Sequence, residues 1–230
     1  MRLSLTSFFL IAVASVAAQQ SEPPCRLPTV DIPALTAEAE SGNPQAELGL
    51  AWALEQKGTP EDHNAASYWL NKAAEHGQAD ALWILAMNYR DGRGVERNEQ
   101  TAFDLFLKSA QHGNVDAQYS VAQMYERGDV VPQDYVQAVK WYKKAAEHVP
   151  DYGGAGHARN SLGELYAEGN GVRQDYVTAY MYFALAQNKG NMRWIAGKMT
   201  SSAIAESQSK AKEWMLKHPQ SGRCSDAPAR

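Results

Sequence analysis

The chain repeats one helical motif about every 36 residues, and this periodicity constrains its fold more than any other feature. Alanines mark the register at Ala46, Ala81, Ala117 and Ala158, with steps of 35, 36 and 41 residues. Apolar residues follow four and eight positions later, at Leu50, Leu85, Val121 and Leu162 and at Leu54, Tyr89, Tyr125 and Tyr166. Positions four residues apart share one helix face. The pattern therefore predicts an all-α array of stacked helix pairs.

Each repeat also carries the signals of a second helix. The first helix is predicted to end at Gly92, Gly128 and Gly169, because glycine adopts the left-handed C-cap conformation easily. The first copy, with Gln56-Lys57-Gly58, departs from this pattern. The second helix is predicted to begin at the N-cap residues Asp62, Asn98, Asp134 and Asp175 and to bury Trp69, Leu105, Trp141 and Tyr182. An insertion at 150–156 in the third copy is predicted to form a flexible or protruding loop.

The motif Ala-x-x-x-Leu-Gly-x-x-Tyr-x-x-Gly-x-Gly-Val at 158–172, followed by Gln174-Asp175-Tyr176, resembles the Sel1-like repeat, a relative of the tetratricopeptide repeat. The resemblance covers about 41–191. It implies a right-handed α-solenoid of about four helix-turn-helix repeats, at about 41–76, 77–112, 113–153 and 154–191. Residues 19–40 are predicted to be an N-terminal tail and first helix, 192–218 to be capping helices, and 219–230 to be a flexible tail. Such a cap would hide the last apolar face from water.

The first 18 residues have the pattern of a secretory signal peptide. One charge, Arg2, precedes an apolar run at 8–16 and small residues up to Ala18, where cleavage is expected. The run is shorter than the ~20 residues of a membrane-spanning helix. We expect an exported protein without a membrane span, located in the periplasm, and the alternatives that stay open are the extracellular space and the endoplasmic reticulum lumen. Loss of Arg2 takes the formal net charge from −4 to −5, which argues against nucleic-acid partners.

The chain has two cysteines, Cys25 and Cys224, and both lie outside the helical region. In an oxidising compartment they can pair, since an extended tail of six residues spans ~20 Å. The alternative is two free or intermolecular thiols, and both interpretations stay open.

Three histidines recur at equivalent positions, His76, His112 and His148. Equivalent positions in stacked repeats lie on the order of 10 Å apart, whereas zinc requires its ligands at ~2 Å. We therefore interpret them as side chains that interact with the negative ends of helix dipoles, and we predict no metal or other cofactor.

A serine–lysine pattern, Ser207-x-x-Lys210 with the overlapping Ser209-x-x-Lys212, matches that of penicillin-recognising enzymes. The Ser-Asp-Asn and Lys-Thr-Gly motifs that accompany it are missing from the sequence. The paired cysteines of penicillin-binding members of the resembling family are missing too. We therefore expect that the protein is not an enzyme.

The first helices have a second face, opposite their core columns. Positions two, six and nine residues after each marker alanine fall near 180–240° on the helical wheel, at ~100° per residue. This first-helix face comprises Leu48, Trp52 and Glu55; Trp83, Met87 and Arg90; Tyr119, Gln123 and Glu126; and Asn160, Glu164 and Ala167. Its predicted protein-binding residues are Trp52, Trp83, Met87, Arg90, Tyr119, Gln123, Glu126, Asn160 and Glu164. Aromatic side chains, Met and Arg are enriched at interface hot spots.

The alternative for the aromatic side chains is packing against the neighbouring repeat. For Trp83 and Tyr119 both interpretations stay open, and for Trp52 packing is favoured.

The resemblance implies a monomeric scaffold or adaptor that binds a protein or peptide in a concave groove lined by the first helices. The alternatives are a periplasmic immunity or inhibitor protein that neutralises one enzyme or toxin and, third, a penicillin-binding hydrolase.

Overall fold

The computed structural model describes residues 31–148 and 153–218, and within these ranges all regular secondary structure is helical. The helices are α1 Ile32–Glu40, α2 Pro44–Lys57, α3 Pro60–Glu75, α4 Ala79–Asp91, α5 Glu99–Gln111, α6 Val115–Arg127, α7 Tyr135–Ala146, α8 Gly154–Glu168, α9 Tyr176–Leu185, α10 Lys189–Ala196 and α11 Ser201–Lys217. These helices belong to one compact unit. The predicted signal peptide, both cysteines and the predicted tail at 219–230 lie outside the described residues.

Successive helices pair and the pairs stack. The hairpins are α2–α3, α4–α5, α6–α7 and α8–α9, and the contacts α3–α4, α5–α6 and α7–α8 join one hairpin to the next. Helix α1 packs on α2, and both α10 and α11 pack on α9. The predicted all-α repeat solenoid with C-terminal capping helices is confirmed. None of the described helices combines the length and the apolarity needed to span a membrane.

Alanine columns allow the paired helices to approach closely. The four marker alanines are at most 3% exposed, and the alanines in the second helices, Ala66, Ala102, Ala138 and Ala179, are fully buried. The large buried column of the second helices lies one residue later than predicted, at Leu70, Phe106, Tyr142 and Phe183. Counted from the buried alanine of each second helix, the later position is four residues on, a rotation of ~400°, and the predicted position is three residues on, a rotation of ~300°. The later position is therefore closer to the direction of the alanine and lies nearer the centre of the buried face. Of the predicted column only Trp141 is buried, while Trp69, Leu105 and Tyr182 are half-buried.

The helix ends follow the predicted caps with one exception. Gly92, Gly128 and Gly169 have positive φ at their C-caps, and Gly58 does the same in the first copy, one position later in the repeat. Asn98, Asp134 and Asp175 are N-caps, as predicted. Helix α3 instead begins at Pro60, and its N-cap is Thr59, three residues before Asp62, because proline fits the first helical position. The hydroxyl of Thr59 accepts from the Asp62 amide at 3.1 Å.

Part of the predicted insertion loop is helical. Helix α8 begins at Gly154, so residues 154–156 are in its first turn, whereas 150–152 lie outside the described part of the chain. The amide of Gly154 donates to the Asp116 carboxylate at 2.8 Å, which anchors the start of α8 to α6. A Cβ at Gly154 would lie 2.6 Å from the Cβ of Tyr119. Glycine therefore lets α8 approach the first-helix face closely.

Candidate protein-binding face and interrepeat cleft

The predicted binding residues form a face that is partly open to solvent. Trp52 is 44% exposed, and Arg90 and Glu164 are also exposed. The remaining six residues, Trp83, Met87, Tyr119, Gln123, Glu126 and Asn160, are half-buried. Helices α6 and α8 contact each other directly, so their face residues belong to one continuous surface.

The aromatic residues of the face contribute to packing as well as to its surface. Trp83, Met87 and Tyr119 pack against the apolar cluster that extends from α4 to α8. The Tyr119 ring lies 5.7 Å from that of Tyr142 and 5.6 Å from that of His157. Burial raises the pKa of Tyr119, so its phenol stays protonated at neutral pH. Its oxygen accepts from Gln123 Nε2 at 2.8 Å, which leaves the phenol hydrogen pointing away from that bond.

Asparagine side chains extend the face beyond α8. The Oδ1 atom of Asn160 accepts from Asn188 at 2.7 Å and from Asn191 at 3.3 Å. The Nδ2 atom of Asn160 donates to Glu164 at 2.9 Å. Asn188 is the N-cap of α10, and the sequence could have predicted it only as a residue that begins a helix. Asn188 and Asn191 lie beyond the last repeat column, so the repeat pattern does not predict their place on the face.

Two glutamates of the face hold neighbouring helices together. Glu126 accepts a hydrogen bond of 2.5 Å from the buried Tyr142 hydroxyl. Glu55 occupies the same repeat position in α2, and it accepts from His63 at 3.0 Å and from Asn88 at 2.9 Å. Glu126 was predicted to bind a partner, and the structure also gives it this internal role.

A cleft of about 510 Å³ opens between the second and third repeats, and we call it the interrepeat cleft. Its floor consists of Ala102 and Phe106, both fully buried, and of Met124. Its rim includes Arg90 and Gln123 of the first-helix face. The cleft is therefore a recess that opens beside the predicted binding residues.

The rim of the interrepeat cleft is rich in charge. Arg90 pairs with its neighbour Asp91 at 2.8 Å, and this hydrogen bond holds the pKa of Asp91 below its usual value. Arg97 pairs with Glu99, two residues along the chain. Arg127 makes no ion pair with any residue in the described ranges. Asp129, on the same rim, likewise makes no ion pair within the described ranges, so three arginines and three acids line the cleft.

The other candidate chemistry is accounted for by local structure. The Ser207 hydroxyl is buried and donates to the Ala203 carbonyl at 2.8 Å, while Lys210 pairs with Glu206 at 2.9 Å. His76 and His112 are the C-caps of α3 and α5, as the dipole interpretation predicts, whereas His148 lies one residue beyond Glu147, the C-cap of α7. Within 31–148 and 153–218, no three His, Cys, Asp or Glu side chains are placed to hold a metal ion.

Comparison with known proteins identifies the repeat. The family model described as Sel1 repeat matches residues 44–78, 79–114, 115–148 and 156–191. A Sel1 repeat protein from Oxalobacter formigenes has a similar crystal structure, with a TM-score of 0.65 and 24% identity over 84% of this chain and 79% of that one. A protective antigen of uropathogenic Escherichia coli with an SLR fold has a TM-score of 0.50 and 25% identity, over 81% of this chain and 48% of its own. No curated protein matches the sequence. Because the four family matches cover more than half of the residues, this chain belongs to the Sel1 repeat family.

Proposed function

We propose that this protein is an exported interaction scaffold that binds a segment of another protein along its first-helix face. Sel1 repeat arrays generally serve as protein-interaction scaffolds. The observation that carries the proposal is the continuity of the face, since α6 contacts α8 and the α10 asparagines bond to Asn160. A stack of repeats can present such a surface without moving parts.

The composition of the face suits a protein ligand. Trp52 and Tyr119 offer aromatic area, and aromatic residues supply much of the binding energy at protein interfaces. The amides of Gln123, Asn160 and Asn191 already make some internal hydrogen bonds, and their remaining N–H and C=O groups can bond to a peptide backbone. The face therefore combines apolar anchors with hydrogen-bonding groups that fix the register of a bound segment.

The proposal of export rests on the first 18 residues. Their single positive charge, short apolar run and small residues before Gln19 match a cleavable signal. The working location that we propose is the periplasm. Fractionation of cells that express the full chain, with N-terminal sequencing of the mature product, tests this directly, because a cytoplasmic product that retains Met1 would contradict export.

Cross-linked affinity capture from the native envelope fraction tests the function. The bait is the full chain, and the face variant is Trp52→Ala combined with Glu164→Ala. The matched control is Tyr68→Ala combined with Asp104→Ala, which removes one exposed aromatic and one exposed acidic side chain from the second helices. We expect the face variant to lose its captured partner and the control to retain it. Equal capture by both variants and the unaltered protein would remove the first-helix face from consideration.

A further inference from the structure

The C-terminal cap, which we define as α10, α11 and the turn between them at 189–217, leaves large apolar side chains in water. Leu216 is 74% exposed, Met215 54% and Trp194 49%. They are three of the six large apolar side chains that are exposed in the described part of the chain. A terminal unit of a repeat array normally presents a polar outer face. Covering α9 therefore does not explain these side chains.

The outer face of α11 combines an apolar side chain with a cation. Leu216 lies nine residues after the buried Ser207, a rotation of ~900°, so it points away from the buried side of the helix. Lys212 is exposed and lies four residues before Leu216, so both share the outer face. This face is therefore amphipathic and directed into solvent.

The turn after α10 carries the same combination. The Nζ atom of Lys198 lies 4.2 Å from the ring centroid of Trp194 and 5.6 Å from that of Tyr176. Tyr176 follows Asp175, the N-cap of α9, and Asp175 interacts electrostatically with Lys210 of α11. The Trp194–Lys198 pair and the middle of α11 therefore both lie at the start of α9.

The C-terminal cap has a surplus of positive charge. It contains six lysine or arginine residues and two glutamates. Both glutamates pair within α11, Glu206 with Lys210 at 2.9 Å and Glu213 with Lys217 at 2.7 Å. The other four cations make no ion pair with residues in 31–148 or 153–218, and they are Lys189, Arg193, Lys198 and Lys212. Four positive charges are thus left for a partner.

The charge of the preceding repeats has the opposite sign. Residues 31–134, which include α1 to α6, contain 17 acidic and seven basic residues. A negatively charged surface therefore attracts the C-terminal cap and repels this part of the array. Such an asymmetric charge distribution selects one orientation of approach.

We propose that the C-terminal cap binds the surface of an anionic phospholipid membrane. The unpaired cations would contact lipid phosphates, while Trp194, Met215 and Leu216 would enter the headgroup region. Single side chains that project from a helix suit a fluid apolar layer, which requires no matching pocket. The sequence at 219–230 contains no large aliphatic or aromatic residue that could cover them instead. None of the cap residues named here belongs to the first-helix face, so membrane binding adds to the proposed function.

Vesicle co-sedimentation tests the charge. The probes are phosphatidylcholine vesicles with and without about one-third phosphatidylglycerol, and we expect the full chain to bind the anionic vesicles at least about ten-fold more tightly. Lys198→Gln combined with Lys212→Gln should weaken this binding about ten-fold or more, because each cation near an anionic lipid surface contributes roughly five-fold. The matched control, Lys57→Gln combined with Lys108→Gln, removes two exposed lysines from α2 and α5 and should bind normally. The apolar run at 8–16 is present in every variant, so differences between variants report the cap.

A second pair of variants tests the apolar contacts. Met215→Ala combined with Leu216→Ala should weaken binding to the anionic vesicles at least about five-fold, because less apolar surface enters the membrane. The control, Tyr68→Ala combined with Val136→Ala, removes two exposed apolar side chains outside the cap and should have no effect. Circular dichroism checks that each variant keeps its helical content.

Several outcomes would overturn the proposal. They are equal affinity for the two kinds of vesicle, no binding to either, and unchanged binding by both cap variants. Binding to soluble poly-glutamate that requires Lys198 and Lys212 but not Leu216 would assign the cap to an acidic protein instead. The capture variant Trp52→Ala with Glu164→Ala keeps the whole cap and should bind vesicles normally, so the two proposals fail separately.

Discussion

The hydrogen bond from Tyr142 to Glu126 tests how the two helices of the third repeat, α6 and α7, are held together. Tyr142 is fully buried, and its hydroxyl lies 2.5 Å from Glu126 Oε2. Burial raises the pKa of Tyr142 well above its usual value, so the phenol keeps its hydrogen and remains a donor at neutral pH. The substitution Tyr142→Phe removes only this hydroxyl. Phe106 shows that a phenylalanine ring fits the same column in the preceding repeat.

The expected cost follows from the kind of bond. A hydrogen bond to a charged acceptor contributes about 1.5–3 kcal/mol to stability. We therefore expect Tyr142→Phe to lower the free energy of unfolding by that amount, or the melting temperature by roughly 3–12 °C for an array of this size. Urea unfolding followed by circular dichroism measures the change, and an unchanged m-value shows that the unfolded state is not altered.

A double-mutant cycle with Glu126→Ala isolates the bond. We expect a coupling energy of about 1–3 kcal/mol between the two positions, as for residues in direct contact. The control is Tyr125→Phe, whose ring packs edge-to-face on Phe103 at 5.7 Å. Its hydroxyl has no hydrogen-bond partner among the described residues, so we expect a change below about 0.5 kcal/mol. A coupling energy near zero would refute the structural role of Glu126.

Three further outcomes follow from the structure. Gly171 and Gly58 both have positive φ, but only a Cβ at Gly171 would lie against a carbonyl of α7. In urea unfolding, Gly171→Ala should therefore lower the free energy of unfolding by at least about 1 kcal/mol more than Gly58→Ala. His76 and His112 are both C-caps, but only His76 bonds, at 3.0 Å, to a buried carboxylate of α2. His76→Ala should therefore lower the free energy of unfolding by about 1–3 kcal/mol, and His112→Ala by less. Burial raises the pKa of Tyr182 to about 12. The stability that its protonated phenol contributes is therefore complete below the unfolded-state pKa near 10 and is lost between about pH 10 and 12. Tyr182→Phe should flatten the fall in stability over that pH range.

The repeat columns predicted the fold because each column reports a local requirement. Ala117 and Gly128 mark a close helix approach and a left-handed C-cap, and these demands can be recognised in one repeat and checked in the next. Where a competing local signal was present, the prediction was wrong, as at Pro60, which moved the start of α3. The large buried column was placed one residue early, because a helical wheel alone does not fix the centre of a face.

The candidate site could be predicted only in part, because the angle of a side chain on a helix does not fix its partner. Glu126 and Arg90 occupy the same repeat position, nine residues after the marker alanine. Glu126 accepts a hydrogen bond from Tyr142 of the second helix in its own repeat. In the repeat of Arg90 the equivalent residue is Phe106, which has no hydroxyl, and Arg90 pairs with Asp91. The outcome depends on side chains from four helices, and none of these side chains is unusual by itself. In an array of near-identical units, the partner of a side chain therefore depends on residues that lie apart in the sequence, and Tyr142 and Phe106 make this difference for Glu126 and Arg90.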